Sequence, residues 1–251
     1  MERVEQLTSS ALTWLGVVLI LQRRLRDSDL GTAMKVVVVG GHARNIGKTS
    51  VMAGLIQGLK SRRWTAVKIT QHEHGIPSLE GEPCGCAPAE HPYMLTEEKD
   101  PQGRGDTCRF LAAGARRSLW LRVRQGRLGD AFPALQRALK NAPFVIIESN
   151  SILDFLMPDV YLVVLDSAQP DFKNSARKFL KRADALVPIA PRVDPRAWAA
   201  LDPRLLDNKP VFPVSSRDYT SPDLCRFVRQ RLRHPSKGGQ ARSPSRGSRK
   251  E

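Results

Sequence analysis

The chain has 251 residues, 41% of them apolar, and a formal net charge of +15. This length and apolar content allow a hydrophobic core, which excludes a wholly disordered chain. No aromatic RNA-recognition signature or zinc-finger spacing accompanies the charge, so we expect no specific nucleic-acid binding; a basic surface suits nucleotides or anionic cofactors. The four cysteines do not form the pattern of a secreted disulfide framework, which favours the reducing cytoplasm.

The N-terminal segment is the first apolar stretch along the chain. Residues 11–22 are apolar but too short to span a bilayer, and the residues before them lack the positive charge of a signal peptide. Three interpretations are open for this segment: a loose helix, a signal anchor, or an upstream extension of a protein that starts at Met34. We favour the extension, because Met34 directly precedes the first predicted strand. We therefore expect an extension over 1–33, one domain over 34–234 and a disordered basic tail over 235–251.

From Lys35 onward, strand-like and helix-like patterns alternate. Short apolar runs predict buried strands at 36–40, 65–69, 118–123, 144–148, 160–165, 185–189 and 211–214. Helical patterns lie between them at 48–59, 107–115, 128–139, 172–180 and 222–232. Alternation of this kind predicts an α/β fold, with a mostly parallel sheet covered by helices on both faces.

The first predicted strand runs into the loop "GGHARNIGKTS". Five residues separate Gly41 from Gly47, one more than in the strict G-x4-G-K-[ST] phosphate loop. Backbone N–H groups of such a loop and the following helix N-terminus favour an anion, Lys48 reaches the β- and γ-phosphates, and Thr49 places its hydroxyl on Mg²⁺. A structural turn before a helix is the alternative. The predicted nucleotide-binding residues are Gly41, Arg44, Asn45, Ile46, Gly47, Lys48, Thr49 and Ser50, together with Lys68 near the end of the second strand.

Two carboxylates are candidates for a functional role beside this loop. Glu148 ends a predicted buried strand, and ligands of parallel sheets lie at that edge. We expect Glu148 to hold Mg²⁺ or to orient an attacking water, with Lys48 as its catalytic partner; a plain surface glutamate is the alternative. Asp106 either contributes a further Mg²⁺ contact or caps a helix that starts at Thr107, and the two roles are compatible.

The polar stretch 71–105 interrupts the strand–helix alternation. It contains the sequence "HEHGIPSLEGEPCGCAPAEH", in which two thiols and several imidazoles lie within twenty residues. Such ligands suit a tetrahedral zinc site, and the predicted set is His74, Cys84, Cys86 and His91. The spacing Cys-x-Cys differs from the usual Cys-x2-Cys, so a polar loop without metal is the competing interpretation.

The ordered motifs resemble two related groups of proteins. The five-residue spacing of the phosphate loop resembles that of the dethiobiotin synthetase and cobyric acid synthase group. The segment "GRGDTCRFLAAGARRSLWL" and the strand "FVIIESNS" are similar to segments of the molybdopterin-guanine dinucleotide biosynthesis protein B family, and together the motifs cover about residues 35–165. The chain departs from that family at Ser149-Asn150, where the family has glycine, and it contains no Asn-Lys-x-Asp guanine signature. The positions that match the family's second motif are Asp106, Thr107, Arg109, Ala113, Gly114 and Ala115.

The resemblance implies a three-layer P-loop NTPase fold and a specific role. It implies an accessory protein of molybdenum-cofactor biosynthesis that binds GTP in preference to ATP, with Mg²⁺, and hydrolyses it weakly. The implied partners are a molybdenum-cofactor nucleotidyltransferase and molybdopterin, with a homodimer as one expected assembly and no membrane association. Two alternatives stay open: an ATP-dependent ligase like dethiobiotin synthetase, in which Lys68 would contact substrate, and a metal- or nucleotide-sensing module built on the Cys/His segment.

Overall fold

The computed structural model describes residues 34–72, 92–189, 197–198 and 201–233. The strands are β1 (Lys35–Gly41), β2 (Thr65–His72), β3 (Tyr93–Glu98), β4 (Arg117–Arg124), β5 (Phe144–Glu148), β6 (Val160–Leu165) and β7 (Ala185–Pro188). The helices are α1 (Lys48–Gly58), α2 (Asp106–Ala112), α3 (Leu128–Leu139), α4 (Asn174–Leu180) and α5 (Pro222–Arg233), with short 3₁₀ turns at Lys60–Arg62, Ser151–Asp154 and Pro203–Leu205.

The strands form one seven-stranded sheet in the order β3-β4-β2-β5-β1-β6-β7. All neighbouring pairs are parallel except β3 with β4, which is antiparallel. β1 lies inside the sheet, where Val39 is opposite Glu148 of β5 on one side and Leu162 of β6 on the other. A strand that is paired on both sides and covered on both faces has no solvent face, which explains the continuous valine run of β1.

Side chains of β1 alternate between two hydrophobic cores. Val36 and Val38 pack into one core, which includes α3 and α4 residues such as Leu135 and Leu180. Val37 and Val39 pack into the other, which includes α1 and α5. Each fully buried side chain of this kind contributes roughly 1.5–3 kcal/mol of burial free energy. The two cores define a helix–sheet–helix architecture, so the predicted three-layer α/β fold is confirmed.

Six of the seven predicted strands are present, and the prediction of a strand at 211–214 is wrong. That segment lies parallel to β7, with an isolated bridge between Leu186 and Val211 and a backbone hydrogen bond of 2.9 Å from Val214 N–H to the Pro188 carbonyl. The next bond of a parallel ladder would need an N–H group at Pro188, which proline lacks, so no regular ladder forms there.

Two predicted helices are each two residues shorter than their sequence patterns. The helix predicted at 107–115 ends at Ala112, because Gly114 adopts the left-handed conformation with φ of 100°. The helix predicted at 172–180 begins only at Asn174, because Lys173 has an extended backbone. The Lys173 N–H donates to the carbonyl of His42 at 2.8 Å.

The stretch 71–105 contains a strand that its polar composition did not predict. β2 continues through His72, and β3 forms an antiparallel edge of the sheet. On β3, Glu97 accepts two hydrogen bonds from Arg117, at 2.9 and 3.2 Å, which hold the pKa of Glu97 down at about 2. Charged pairs of this kind suit an exposed edge strand. The predicted zinc ligands His74, Cys84, Cys86 and His91 lie outside the described residues, as do 1–33 and 235–251.

None of the helices in the described part of the chain is both long and apolar enough to cross a membrane.

Candidate functional site

The loop between β1 and α1 lies at the carboxyl edge of the sheet. It contains two left-handed residues, Asn45 with φ of 55° and Gly47 with φ of 83°, and α1 begins directly afterwards at Lys48. A Cβ on Gly41 would lie 2.8 Å from side-chain carbon atoms of both Ile46 and Lys48, so any other residue there would displace these two side chains. The N-terminal amides of α1 therefore open onto this edge, where the helix dipole stabilises an anion.

The Lys48 side chain lies across the loop. Its Nζ donates a hydrogen bond of 2.8 Å to the carbonyl of Ala43. Burial lowers the pKa of Lys48, and the carboxylate of Glu148 opposes that shift. An ammonium group that is held by one loop carbonyl gains a stronger partner when a polyphosphate enters.

Thr49 and Glu148 form a buried pair next to Lys48. The Thr49 hydroxyl donates to Glu148 Oε2 at 2.7 Å, and the two residues are only 9% and 7% exposed. Their proximity follows from the sheet, because the end of β5 lies beside the end of β1. Hydroxyl and carboxylate oxygens are the hard ligands that Mg²⁺ prefers, so the donor set fits the predicted ion.

Lys68 joins this pair to α2. Its ammonium forms an ion pair with Asp106 and lies 3.6 Å from Glu148 Oε1. Arg109 lies 3.6 Å from Asp106 and donates a hydrogen bond of 2.8 Å to the Ser50 hydroxyl on α1. We name Lys68, Asp106, Arg109 and Glu148 the charged flank. It brings together residues from β2, α2 and β5.

One expectation for Asp106 is wrong. Helix α2 starts at Asp106 itself, after Gly105, and no side chain caps its first turn. The Asp106 carboxylate is engaged by Lys68 and Arg109, which are charged partners and attract it more strongly than neutral backbone amides.

These groups line one cleft of about 940 Å³. All the residues predicted to bind nucleotide are among its lining, together with Asp106 and Glu148. Five cationic side chains and two carboxylates face it, which gives the cleft a positive field suited to phosphates. The further lining residues are Ile69, Thr70, Gln71, His72, Arg109, Gln125, Ser149, Asn150, Ser151, Lys173, Asn174, Ser175 and Tyr219.

His42 clamps the other side of the loop and was not predicted to do so. Its Nδ1–H donates to the Asp171 carbonyl at 2.6 Å, and its Nε2 accepts from the Asp166 backbone N–H at 3.0 Å. The ring is fully buried and contacts Phe172 and Trp198, with centroids 5.3 and 4.9 Å away. Burial lowers the pKa of His42, in agreement with a neutral ring that donates at one nitrogen and accepts at the other.

Lys173 is a further cation of the cleft that the sequence did not single out. Its backbone N–H donates to the His42 carbonyl at 2.8 Å, which ties it to the loop. Burial, with the nearby charges of Lys48 and Arg44, lowers the pKa of Lys173 to about 8. The available signal was its position shortly after the β6 pattern, since strand ends beside the phosphate loop form the site. We name His42, Asp166, Asp171 and Lys173 the clamped flank.

Asn150 connects the end of β1 to the segment that follows β5. Its Oδ1 accepts from the Gly41 N–H at 3.0 Å, and its Nδ2 donates to the Gly41 carbonyl at 2.9 Å. The side chain thus satisfies both backbone groups of Gly41 as a neighbouring strand would. Asn150 therefore fixes the end of β1.

No protein-family model matches the chain, and a comparison with curated proteins gives no match. Solved structures do match. The hydrogenase maturation factor HypB from Archaeoglobus fulgidus is 12% identical, covers 88% of this chain and 99% of its own, and has a TM-score of 0.51. HypB from Helicobacter pylori, solved in complex with nickel, is 16% identical over 90% of this chain and 95% of its own, with a TM-score of 0.48.

The signal recognition particle receptor FtsY from Elizabethkingia anophelis, solved in complex with GDP, is 14% identical over 93% of this chain and 78% of its own, with a TM-score of 0.40. At these identities the likeness concerns the fold alone. The evidence for the fold is the comparison with the Archaeoglobus protein, whose TM-score is 0.51. Together with the sheet order and the loop before α1, it shows that this chain has a P-loop NTPase fold.

Proposed function

We propose that the protein binds a nucleoside triphosphate with Mg²⁺ and hydrolyses it weakly. We further propose that GTP is preferred over ATP and that the protein is an accessory of molybdenum-cofactor biosynthesis. The observation that carries the proposal is the convergence of Lys48 and the Thr49–Glu148 pair on one positive cleft at a helix N-terminus.

Each part of the cleft has a role in holding the polyphosphate. The N–H groups of the loop and of the first turn of α1 donate hydrogen bonds to the phosphate oxygens. Lys48 donates to the Ala43 carbonyl in the free protein and turns to the phosphate oxygens when the nucleotide binds. Thr49, Glu148 and Asp106 would hold Mg²⁺, which neutralises charge on the phosphates when bound. Because Lys68 lies against both carboxylates, Mg²⁺ and Lys68 compete for the same oxygens.

Weak hydrolysis follows from how the polar side chains of the cleft are engaged. The Gln71 amide donates to the Ser151 hydroxyl at 2.6 Å and accepts from the Gly126 N–H at 3.3 Å. Glu148 contacts Thr49 and Lys68 with separate carboxylate oxygens. An attacking water needs an oriented acceptor, and these two side chains must first exchange a partner to provide one. We therefore expect turnover to be slow until a partner protein rearranges the site.

The base preference and the pathway rest on the resemblance described above. Its matching residues Asp106 and Arg109 belong to the charged flank, so the motif coincides with the cleft. The proposed partners remain a molybdenum-cofactor nucleotidyltransferase and molybdopterin, with a homodimer as one assembly. A zinc site at His74, Cys84, Cys86 and His91 remains part of the proposal.

A Lys48→Ala variant tests the phosphate site. Titration calorimetry with GTP and with ATP, in Mg²⁺ buffer, should show about a hundredfold weaker binding than the parent, because a charge-assisted contact inside the cleft is lost. Lys140→Ala is a matched control, since Lys140 is exposed at the end of α3, and its affinities should equal those of the parent. Unchanged affinity in Lys48→Ala, or no binding of either nucleotide by the parent, would refute the proposal.

The same titrations separate the proposed role from its alternatives. GTP binding tighter than ATP binding favours the accessory role, and GTP-dependent stimulation of a purified molybdenum-cofactor nucleotidyltransferase would support it directly. ATP preference with ADP release that depends on a diamino-acid substrate would instead indicate the ligase. Stoichiometric zinc in elemental analysis, lost in a Cys84→Ser, Cys86→Ser variant, would support the metal site.

A further inference from the structure

The cleft has two chemically different ends. The end toward β5 and β2 carries the charged flank. Toward β7 the cleft is lined by Tyr219. The Tyr219 ring, and the side chain of Ile189 just after β7, lie within 4 Å of the Cβ position of Gly47. A nucleoside triphosphate has the same polarity, since one end is highly charged and the other is a flat, largely apolar base.

The position of the Tyr219 ring is fixed by a turn at the sheet edge. The turn follows the segment 211–214, which is hydrogen-bonded to β7 at Leu186 and Pro188. Within it, the Tyr219 N–H donates to the Ser215 carbonyl at 2.9 Å, and Tyr219 has a φ of 51°. The Ser215 hydroxyl bonds both the carboxylate and the N–H of Asp218, each at 3.0 Å. A non-glycine residue in this conformation persists only where its surroundings hold it.

The ring also lies directly against the phosphate loop. A Cβ on Gly47 would stand 2.6 Å from a ring carbon of Tyr219, and Gly47 has a φ of 83°. Gly47 immediately precedes Lys48, so the ring lies beside the first of the phosphate-binding amides. The distance from phosphate site to ring is therefore short enough for one nucleotide to reach both.

We propose that the Tyr219 ring is the stacking platform for the base of the bound nucleotide, a purine in particular. This inference rests on the proposed function. The terminal phosphates and their Mg²⁺ need the charged flank, so the nucleoside must leave the loop on the Tyr219 side. Aromatic rings stack on every base, and the larger face of a purine buries more area than that of a pyrimidine.

The test compares nucleotides with inorganic tripolyphosphate, which has the phosphates but no base. In Tyr219→Ala, we expect GTP and ATP to bind about tenfold more weakly and tripolyphosphate to bind as in the parent. In the matched control Tyr219→Phe, which keeps the ring and removes the hydroxyl, all three affinities should stay within about twofold of the parent. The ratio of GTP to UTP affinity should fall in Tyr219→Ala, because a purine loses more stacking than a pyrimidine.

The outcomes distinguish this inference from the proposed function. If Tyr219→Ala leaves GTP and ATP binding unchanged, the platform is refuted while the phosphate site stands. If it weakens tripolyphosphate as much as GTP, the ring acts by supporting Gly47, and the inference is again wrong. If the parent binds neither tripolyphosphate nor nucleotide, the proposed function fails, and the inference fails with it.

Discussion

The two flanks of the phosphate loop are built by opposite means. On the charged flank, Lys68, Asp106 and Glu148 are held to one another by ion pairs. On the clamped flank, a neutral buried histidine holds the backbone at Asp166 and Asp171. Ion pairs rearrange when a charged ligand arrives, whereas a buried hydrogen-bonded ring does not. The charged flank is therefore the side of the loop that rearranges when a ligand binds, and the clamped flank holds the loop in position.

The largest expected effect is the loss of stability when the clamped flank is disrupted. His42→Ala removes two hydrogen bonds and two ring contacts from a fully buried position, so we expect the free energy of unfolding to fall by roughly 3 kcal/mol. Arg109→Ala, on the charged flank, should cost less than about 1 kcal/mol, because its partly exposed ion pair is weak. Urea unfolding measures both. Equal losses in the two variants would contradict the difference between the flanks.

The same histidine gives the stability a pH dependence with a definite sign. Burial lowers the pKa of His42 in the folded protein below the ordinary value of 6.5, so the unfolded chain binds the proton first as the pH falls. The contribution of His42 to the free energy of unfolding should therefore be constant above pH 6.5 and decrease below it. His42→Gln should lack that part of the decrease, and an identical pH profile in parent and variant would show that His42 is not its source.

A second, smaller effect concerns the charged flank alone. Lys68→Met removes the ammonium that neutralises Asp106 and Glu148, so we expect the nucleotide-free protein to bind Mn²⁺ about tenfold more tightly. Electron paramagnetic resonance titration of free Mn²⁺ measures this without any turnover. Lys68→Arg keeps the charge and should bind as the parent does. Unchanged or weaker Mn²⁺ binding in Lys68→Met would mean that Lys68 does not compete with the ion.

The smallest expected effect is a pH dependence of polyphosphate binding that arises from Lys173. Burial and the charges of Lys48 and Arg44 lower the pKa of Lys173 to about 8, against the opposing charge of Glu148. A polyphosphate favours the protonated form, so its affinity should fall about fivefold as the pH rises from 7 to 9. Lys173→Arg keeps its charge over that range and should flatten the profile in calorimetric titrations. A slope that persists in Lys173→Arg would assign the titration to another group.

Local patterns in the sequence predicted the parts of the molecule that local chemistry decides. The run Val36–Val39 and the loop through Lys48 follow from a doubly covered strand and a helix N-terminus. The charged flank was predicted only by combining separated motifs, since Lys68 and Asp106 lie 38 residues apart. The family resemblance supplied their order.

The remaining features depend on contacts that no local pattern encodes. His42 contacts Asp171, which is 129 residues away in the chain. The loop sequence around His42 therefore gave no sign that its ring holds a distant segment. Tyr219 lies on a turn whose place depends on a segment beside β7. β3 was not predicted because its sequence, YMLTEE, is half polar, and among the described strands it pairs only with β4. An edge strand needs less apolar surface than a central one, so its signal is weaker.

The Asn150 side chain, bonded to both backbone groups of Gly41, constrains how this sequence can vary. A methyl group on Gly40 would collide with the Asn150 amide oxygen, so positions 40 and 150 are sterically coupled although they are far apart in the chain. The Tyr161 ring also lies within 3.0 Å of that methyl position, so a larger residue at 40 needs changes at both 150 and 161. Glycine at 40 should therefore accompany Asn150 and Tyr161 wherever this arrangement occurs.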